Sequence, residues 1–519
     1  MKADPVHFER PSDVAKAALL ASAFAVVYFW LQGDILVNLA DEGFLWYGTV
    51  RTALGEVPLR DFQSYDPGRY FWSAAWSEVF GNGIIGLRKS VAIFQIVGIT
   101  AGLLALRRAI RSWLMLAVAG VLLVIWMEPN YKIFDHCLAL TGVYFAVILI
   151  EKPSPGRLFA AGVFIGAAAI FGRNHGLYGF VSFLFIILII WGRIDRTHPA
   201  RRIMIWGAGI AVGYSPMLII SILAPGFFES FVKSILFHFK VRSTNFFLPI
   251  PWPWRVDFGQ KSIMDIAQGI STGTLFFIIP VFYVSAGAYL LRCSRDDLKR
   301  KALLVASVFT GALYMHYAFS RADLAHLALG IPPFLIGALS LPFLFKGKIK
   351  KTIAGIFLGC VFIMSFFSAV TASPWYVKAN SPGGVFVKED IHGEELWVYR
   401  YIARSIRCVT EINRQKVPPD EGFLLIPHWP GVYPVLERRS PLWDIYLLFR
   451  ETEKRQNQMI KELKEKNVNW VILGDIALDG RNDFRFRNTH ALVWRHLMDE
   501  FENIESDCLP RNYQLLRRK

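Results

Sequence analysis

Apolar residues fall in runs separated by short polar connections. The runs lie near 17–32, 87–106, 113–127, 133–150, 158–171, 177–192, 203–224, 272–291, 302–318, 325–345 and 352–371. Most are about as long as a helix needs to cross the bilayer hydrocarbon. The pattern predicts a polytopic α-helical membrane protein with about 11 transmembrane helices. The short run at 158–171 is expected to be tilted, broken or re-entrant. The first run lacks a small-residue cleavage site and is expected to be retained as a span.

Beyond residue 371 the pattern changes. "FLLIP" (423–427) and "WVILGD" (470–475) read as buried strands, and "IYLLFRETEKRQNQMIKELKEKN" (445–467) reads as a helix. Strands alternating with helices predict a small α/β domain over 372–519.

Basic residues give the direction. "RRAIR" (107–111), "EKPSPGR" (151–157), "GRIDRTHPARR" (192–202), "RCSRDDLKRK" (292–301) and "KGKIKK" (346–351) sit at every second connection. Short loops rich in Lys and Arg stay in the cytoplasm. All five can do so only with a cytoplasmic N-terminus, and eleven crossings then put the C-terminus outside. The expected organisation is a transmembrane module over 1–371, with a first external loop at 33–86 and a long one at 225–271, followed by an extracytoplasmic domain. A bacterial inner or plasma membrane is the expected location.

Composition agrees. Of 519 residues, 54% are hydrophobic and only 19% charged, which excludes an ordinary soluble domain. The net charge of +16 sits largely in connections between apolar runs. It describes contact with membrane lipid headgroups and argues against nucleic acid as a partner. Five cysteines form no metal-like cluster. Cys408 and Cys508 either pair, if their domain is extracytoplasmic, or remain thiols.

Unusual polar residues gather at the outer span ends, where they are costly unless they meet water, protein or a ligand. "LADEGFLWYGTVRTALGEVPLRDFQSYDPGRYF" (39–71) opens with Asp41 and Glu42. The helical spacing after them predicts an interfacial amphipathic helix. Asp41 is either a helix cap or a general base at the membrane boundary. Asp66-Pro67-Gly68 reads as a turn flanked by Tyr65, Arg69 and Tyr70, either substrate contacts or a packed loop. Asp135 and His136 could polarise a hydroxyl, bind a metal or cap the next helix. Arg173, Asn174 and His175 interrupt an apolar hairpin, as do Arg321, Asp323 and His326. Such an arginine needs an anion or a carboxylate, so Arg321 and Asp323 also read as a mutual ion pair. In the 225–271 loop, Lys233, Lys240, Arg242, Arg255 and Lys261 accompany "FFLPIPWPW" (246–254). Basic groups beside interfacial aromatics suit a lipid phosphate or ordinary headgroups.

This layout resembles the C-type (GT-C) membrane glycosyltransferases. The likeness is to the protein O-mannosyltransferase and lipid A aminoarabinose transferase branch, with its RgtA/B/C/D-like bacterial members. It rests on the first span, the Asp-Glu pair, the "PGRYFW" approach to the second span, and the span layout over 1–371. "IPHWPGVYPVLERRSPLWD" (426–444) is similar to a strand–turn–helix segment after the last span in that family. The resemblance implies an inverting transfer of a hexose or pentose from a polyprenyl-monophosphate donor to a lipid, polysaccharide or protein acceptor on the outer face. It implies Asp41 as general base with Glu42 beside it and Asp135 as second acid. Arg173, Arg255, Lys261 and Arg321 would hold the donor phosphate. Substrate contacts would fall to Tyr65, Arg69, Tyr70, His136, His175, Asp323 and His326. The family's Lys-Pro-Pro before the second span is here "DPGRYF", which alters the expected contacts there. No cofactor is certain, and a divalent metal assisting the phosphate is left open. The rival readings are a lipid or polysaccharide flippase, which would need charges along a path through the spans, an envelope ligase or polymerase, and a non-catalytic envelope-assembly protein.

Overall fold

A computed structural model describes residues 10–241, 245–259, 262–345 and 347–519; Arg242 and Lys261, both considered for phosphate binding, lie outside them. The chain divides into two compact units. The first comprises Met1–Gly33, Val91–Ile220 and Thr244–Ala379; the second comprises Asp34–Ser90, Ser221–Ser243 and Asn380–Lys519.

In chain order the helices are α1 (Pro11–Gln32), α2 (Asp41–Ala53), α3 (Gly68–Phe80), α4 (Ile84–Arg107), α5 (Trp113–Val124), α6 (Ile133–Glu151), α7 (Pro155–Phe171) and α8 (Arg173–Ile189). Then come α9 (Pro199–Leu223), α10 (Phe227–Val241), α11 (Ile263–Leu291), α12 (Arg295–Arg300), α13 (Ala302–Ser320), α14 (Leu324–Gly330), α15 (Pro332–Leu344) and α16 (Lys348–Ser365). The chain is an integral membrane protein. Among the described residues eight helices are long and apolar enough to span, or up to nine if α14 and α15, bent by 59°, form one span. Each expected run is helical, but α5 and α7 are shorter apolar helices. The bend follows from Pro332 and Pro333, which lack the N–H groups a continuous helix needs. Other ends follow local chemistry: Ser154 caps α7 through the Arg157 N–H, and Ser262 with Asp265 forms a capping box on α11.

Within the first unit, glycines set how closely helices pack. Gly162 and Gly166 of α7 face Gly209 and Gly213 of α9. A Cβ on Gly162 would stand 2.2 Å from the Trp206 carbonyl oxygen, and one on Gly213 would stand 2.1 Å from that of Val163. Backbone thus meets backbone, the usual device where lipid supplies little drive for helices to associate.

The second unit holds α2, α3 and a small sheet domain. Strands β1 (Phe386–Ile391) and β2 (Glu394–Tyr399) form an antiparallel hairpin. The larger sheet has the order β3-β4-β6-β5, with β3 (Gly422–Ile426), β4 (Val468–Gly474), β5 (Phe501–Ile504) and β6 (Tyr513–Arg518). The two strands expected from sequence are β3 and β4, adjacent and parallel. Leu424, Ile426, Val471 and Leu473 bury one apolar cluster with Met459, Leu463, Val493 and Leu497.

The helix expected over 445–467 is shorter and spans Glu453–Glu465, with Thr452 as its cap. The preceding residues are held otherwise, because Ile445 N and Tyr446 N both donate to the Gln63 side-chain oxygen at 3.0 and 2.9 Å. Cys408 and Cys508 form a disulfide across 100 residues.

Candidate functional site

The second unit positions the opening acids. Asp41 is the first residue of α2, but it does not cap that helix. Ala40 holds the cap position with no side-chain bond there, and just before it the Asn38 Oδ1 accepts from the backbone N–H groups of Ala40 and Asp41 at 2.9 and 3.0 Å. The Asp41 carboxylate accepts from the Tyr446 hydroxyl at 3.1 Å. Phe44 extends the surroundings, with its ring 4.8 Å from that of Tyr65 and 5.6 Å from that of Tyr446. His428 stands edge-on to Tyr446. Burial pulls its pKa down to about 4, against the opposing charge of Asp41, so it is neutral at pH 7.

Glu42 has a different environment. Its carboxylate takes two hydrogen bonds from Arg88, at 2.7 and 2.8 Å, and one from Asn38 N at 3.3 Å. Arg88 also donates to the carbonyls of Ile35 and Leu36. Both side chains are buried, so charge and hydrogen bonds are satisfied together. The pair fixes the segment that presents Asp41.

Two close approaches hold α2 in place. Gly43 meets the backbone of Gly431, where a Cβ would come within 2.4 Å of the Gly431 nitrogen. Gly48 meets the ring of Tyr70. Tyr70 is wholly buried and its hydroxyl accepts from Tyr65 N at 3.0 Å. Arg69, also buried, lies 5.5 Å from the Tyr65 ring. The helix expected to lie at an interface is therefore buried on most sides, clasped by α3 and by residues 429–446.

The first unit gathers the remaining polar residues into two clusters. In one, His175 at the start of α8 bonds Asp135 of α6 through Nε2 at 2.8 Å. Its Nδ1 meets the Tyr314 hydroxyl of α13 at 2.7 Å. A carboxylate only accepts, so Nε2–H donates to Asp135. Tyr317 adds a hydrogen bond to Asp135 at 3.3 Å. The buried His136 donates from Nδ1 to the Lys132 carbonyl at 3.0 Å. Arg173 is half-buried at the first position of α8.

In the other cluster Arg321 pairs with Asp323 at 2.8 Å and donates to the Phe246 carbonyl at 3.4 Å. His326 bonds Asp323 through Nδ1 at 2.7 Å and accepts from Asn245 at Nε2 at 2.7 Å. Burial alone would raise the Asp323 pKa, but His326 and Arg321 outweigh it and hold the carboxyl below its ordinary value. Arg255 sits exposed in a single turn, Pro253–Arg255. No three side chains of His, Cys, Asp or Glu converge on a metal-sized site among the described residues.

Sequence reading did not find Asn38, Arg88, His428, Tyr446, Tyr314 or Tyr317. Arg88 left one legible signal, a cation at the mouth of an apolar run whose loop carries an acid pair. Tyr446 left none, since 405 residues separate it from Asp41.

No protein-family model matches the chain, and no curated protein sequence matches it. Solved structures do. ArnT from Cupriavidus metallidurans, bound to undecaprenyl phosphate, is similar with a TM-score of 0.55 at 13% identity, over 97% of this chain and 98% of its own. The Archaeoglobus fulgidus oligosaccharyltransferase in the apo form has a TM-score of 0.53 at 11% identity, over 95% of this chain and 72% of its own. The same organism's AglB, with an inhibitory peptide and a dolichol-phosphate, has a TM-score of 0.51 at 11% identity, over 97% and 75%. At these identities the likeness shows the fold, and the fold is the GT-C fold that the sequence resembles.

Proposed function

From a chain with the fold of two polyprenyl-phosphate-bound proteins, we propose an inverting glycosyltransferase that takes its sugar from a polyprenyl-monophosphate donor. The acceptor is a hydroxyl-bearing lipid, polysaccharide or protein at the outer face of the membrane. The observation that carries this reading is Asp41. It makes no side-chain cap bond to α2, is faced by a phenol, and stands beside an acid that Arg88 already neutralises.

In the proposed step the acceptor oxygen attacks the anomeric carbon while its proton passes to the Asp41 carboxylate. The bond from that carbon to the phosphate oxygen breaks, and the phosphate leaves with the electron pair. Attack opposite the leaving group inverts the centre. Glu42 and Arg88 position the start of α2. Arg173 and Arg321, with Arg255 and Lys261 of the long connection, offer charge to the departing phosphate. Asp135 is the second acid, oriented by His175. Tyr65 and Arg69 are substrate contacts beside Asp41, with Tyr70 bracing them. His136, Asp323 and His326 serve as supports. Among the described residues no three His, Cys, Asp or Glu side chains form a metal-sized group, and no step is routed through a metal. The N-terminus is assigned to the cytoplasm, and the 372–519 domain to the outside, where its disulfide would persist.

The test is transfer by the purified protein from synthetic polyprenyl-phosphate sugars and, in parallel, from nucleotide sugars. Release of polyprenyl monophosphate together with a glycosylated acceptor supports the reading. Use of nucleotide sugars alone would contradict it. Comparing envelope glycolipids and polysaccharides by mass with and without the protein should reveal the missing sugar.

A further inference from the structure

A cavity of about 160 Å³ lies in the first unit between α1, α5 and the segment following α16. Phe24, Leu31, Val121, Val124 and Trp375 are among its walls, and Tyr28, Gln32 and Glu128 form its polar end. The reaction proposed above uses none of these residues.

The apolar walls and the polar end each restrict what fits. A cavity of this size has room for several waters, but apolar walls give them few partners, and comparable apolar cavities stay dry and take hydrocarbon. One acceptor at the polar end has no donor. Gln32 is 1% exposed, and its amide N–H donates to a Glu128 carboxylate oxygen. That bond fixes the orientation of the amide, since the reverse would set oxygen against carboxylate. It leaves Gln32 Oε1 buried with no hydrogen-bond partner. The Tyr28 hydroxyl has one proton and faces the Met127 carbonyl and Glu128, each at 2.7 Å, and Asn130 Oδ1 at 2.8 Å. A buried acceptor left unpaired is costly. The occupant must therefore bring a hydrogen-bond donor, and the carboxylate favours a cation over a phosphate.

We propose that this cavity holds an acyl chain of a membrane lipid whose head carries a primary ammonium, which donates to Gln32 Oε1 beside Glu128. Phosphatidylethanolamine has that chemistry. The site is separate from the donor site and does not depend on the proposed transfer.

Native mass spectrometry of the full-length protein in detergent tests this, with phosphatidylethanolamine, phosphatidylglycerol and undecaprenyl phosphate added in turn. The wild-type protein should retain phosphatidylethanolamine about tenfold better than phosphatidylglycerol, as expected for a hydrogen bond to a charged group. Gln32→Leu should abolish that preference, and Val124→Trp should fill the cavity and remove retention. Equal retention of the two phospholipids, indifference to both variants, or displacement by undecaprenyl phosphate would each overturn the proposal. Should a variant fail to fold, a photoactivatable alkyl phosphatidylethanolamine bound to the wild-type protein decides the matter. Crosslinks to 24–32, 121–128 or 370–375 support the site, and crosslinks only elsewhere sink it.

Discussion

Asp41 and Glu42 are neighbours with opposite circumstances. Glu42 is buried and doubly bonded to Arg88, so removing the arginine strands a charge. Arg88→Ala should cost on the order of 3 kcal/mol, seen as an early midpoint in denaturant, and Glu42→Gln added to it should recover part of the loss. Tyr446→Phe should leave stability nearly unchanged and lower kcat while shifting its pH profile, because the hydrogen bond to Asp41 is lost while the ring stays. His428 adds a pH term. Its folded pKa of about 4 lies below the ordinary value near 6.5, so only the unfolded chain takes up its proton between them. The stabilisation is complete above about pH 6.5 and is lost as pH falls toward 4. Melting temperature measured from pH 7 down to 4.5 should decline, and His428→Gln should flatten that decline. An acid after the first span was legible in sequence, but what distinguishes the two acids was not. Asn38 takes the Asp41 backbone N–H locally, and Arg88 and Tyr446 arrive through tertiary folding.

Periodicity found the apolar helices because burial in lipid or protein needs the same residues either way. Its eleven runs outnumber the eight or nine helices of spanning length among the described residues, since α5 and α7 form shorter helices. Hydropathy is equally silent on which helices touch. The glycine faces of α7 and α9 decide that, and Gly213→Leu should drive them apart and destabilise the protein by several kcal/mol, read from detergent unfolding. In the sheet domain β3 and β4 stood out as continuous apolar strands. The hairpin β1–β2 and strand β6 did not, because "FVKEDI" and "YQLLRR" mix charges into strands with a solvent face. Residues 445–451 read as helical and are not, because Gln63 takes the N–H groups of Ile445 and Tyr446, and the Pro427 and Thr489 carbonyls take those of Leu447 and Glu451.

For the molecule as a whole, the fold is secured by structures of 11% to 13% identity, and the chemistry is carried by a few side chains. One acid at the start of α2 is asked to accept the acceptor's proton. The direct measurement is single-turnover sugar transfer from a polyprenyl-phosphate donor by Asp41→Asn protein, with thermal unfolding and polyprenyl-phosphate binding measured on the same sample. Loss of a general base should slow transfer by about a hundredfold or more while binding and unfolding stay at wild-type values. Transfer within a few-fold of wild type would contradict the account.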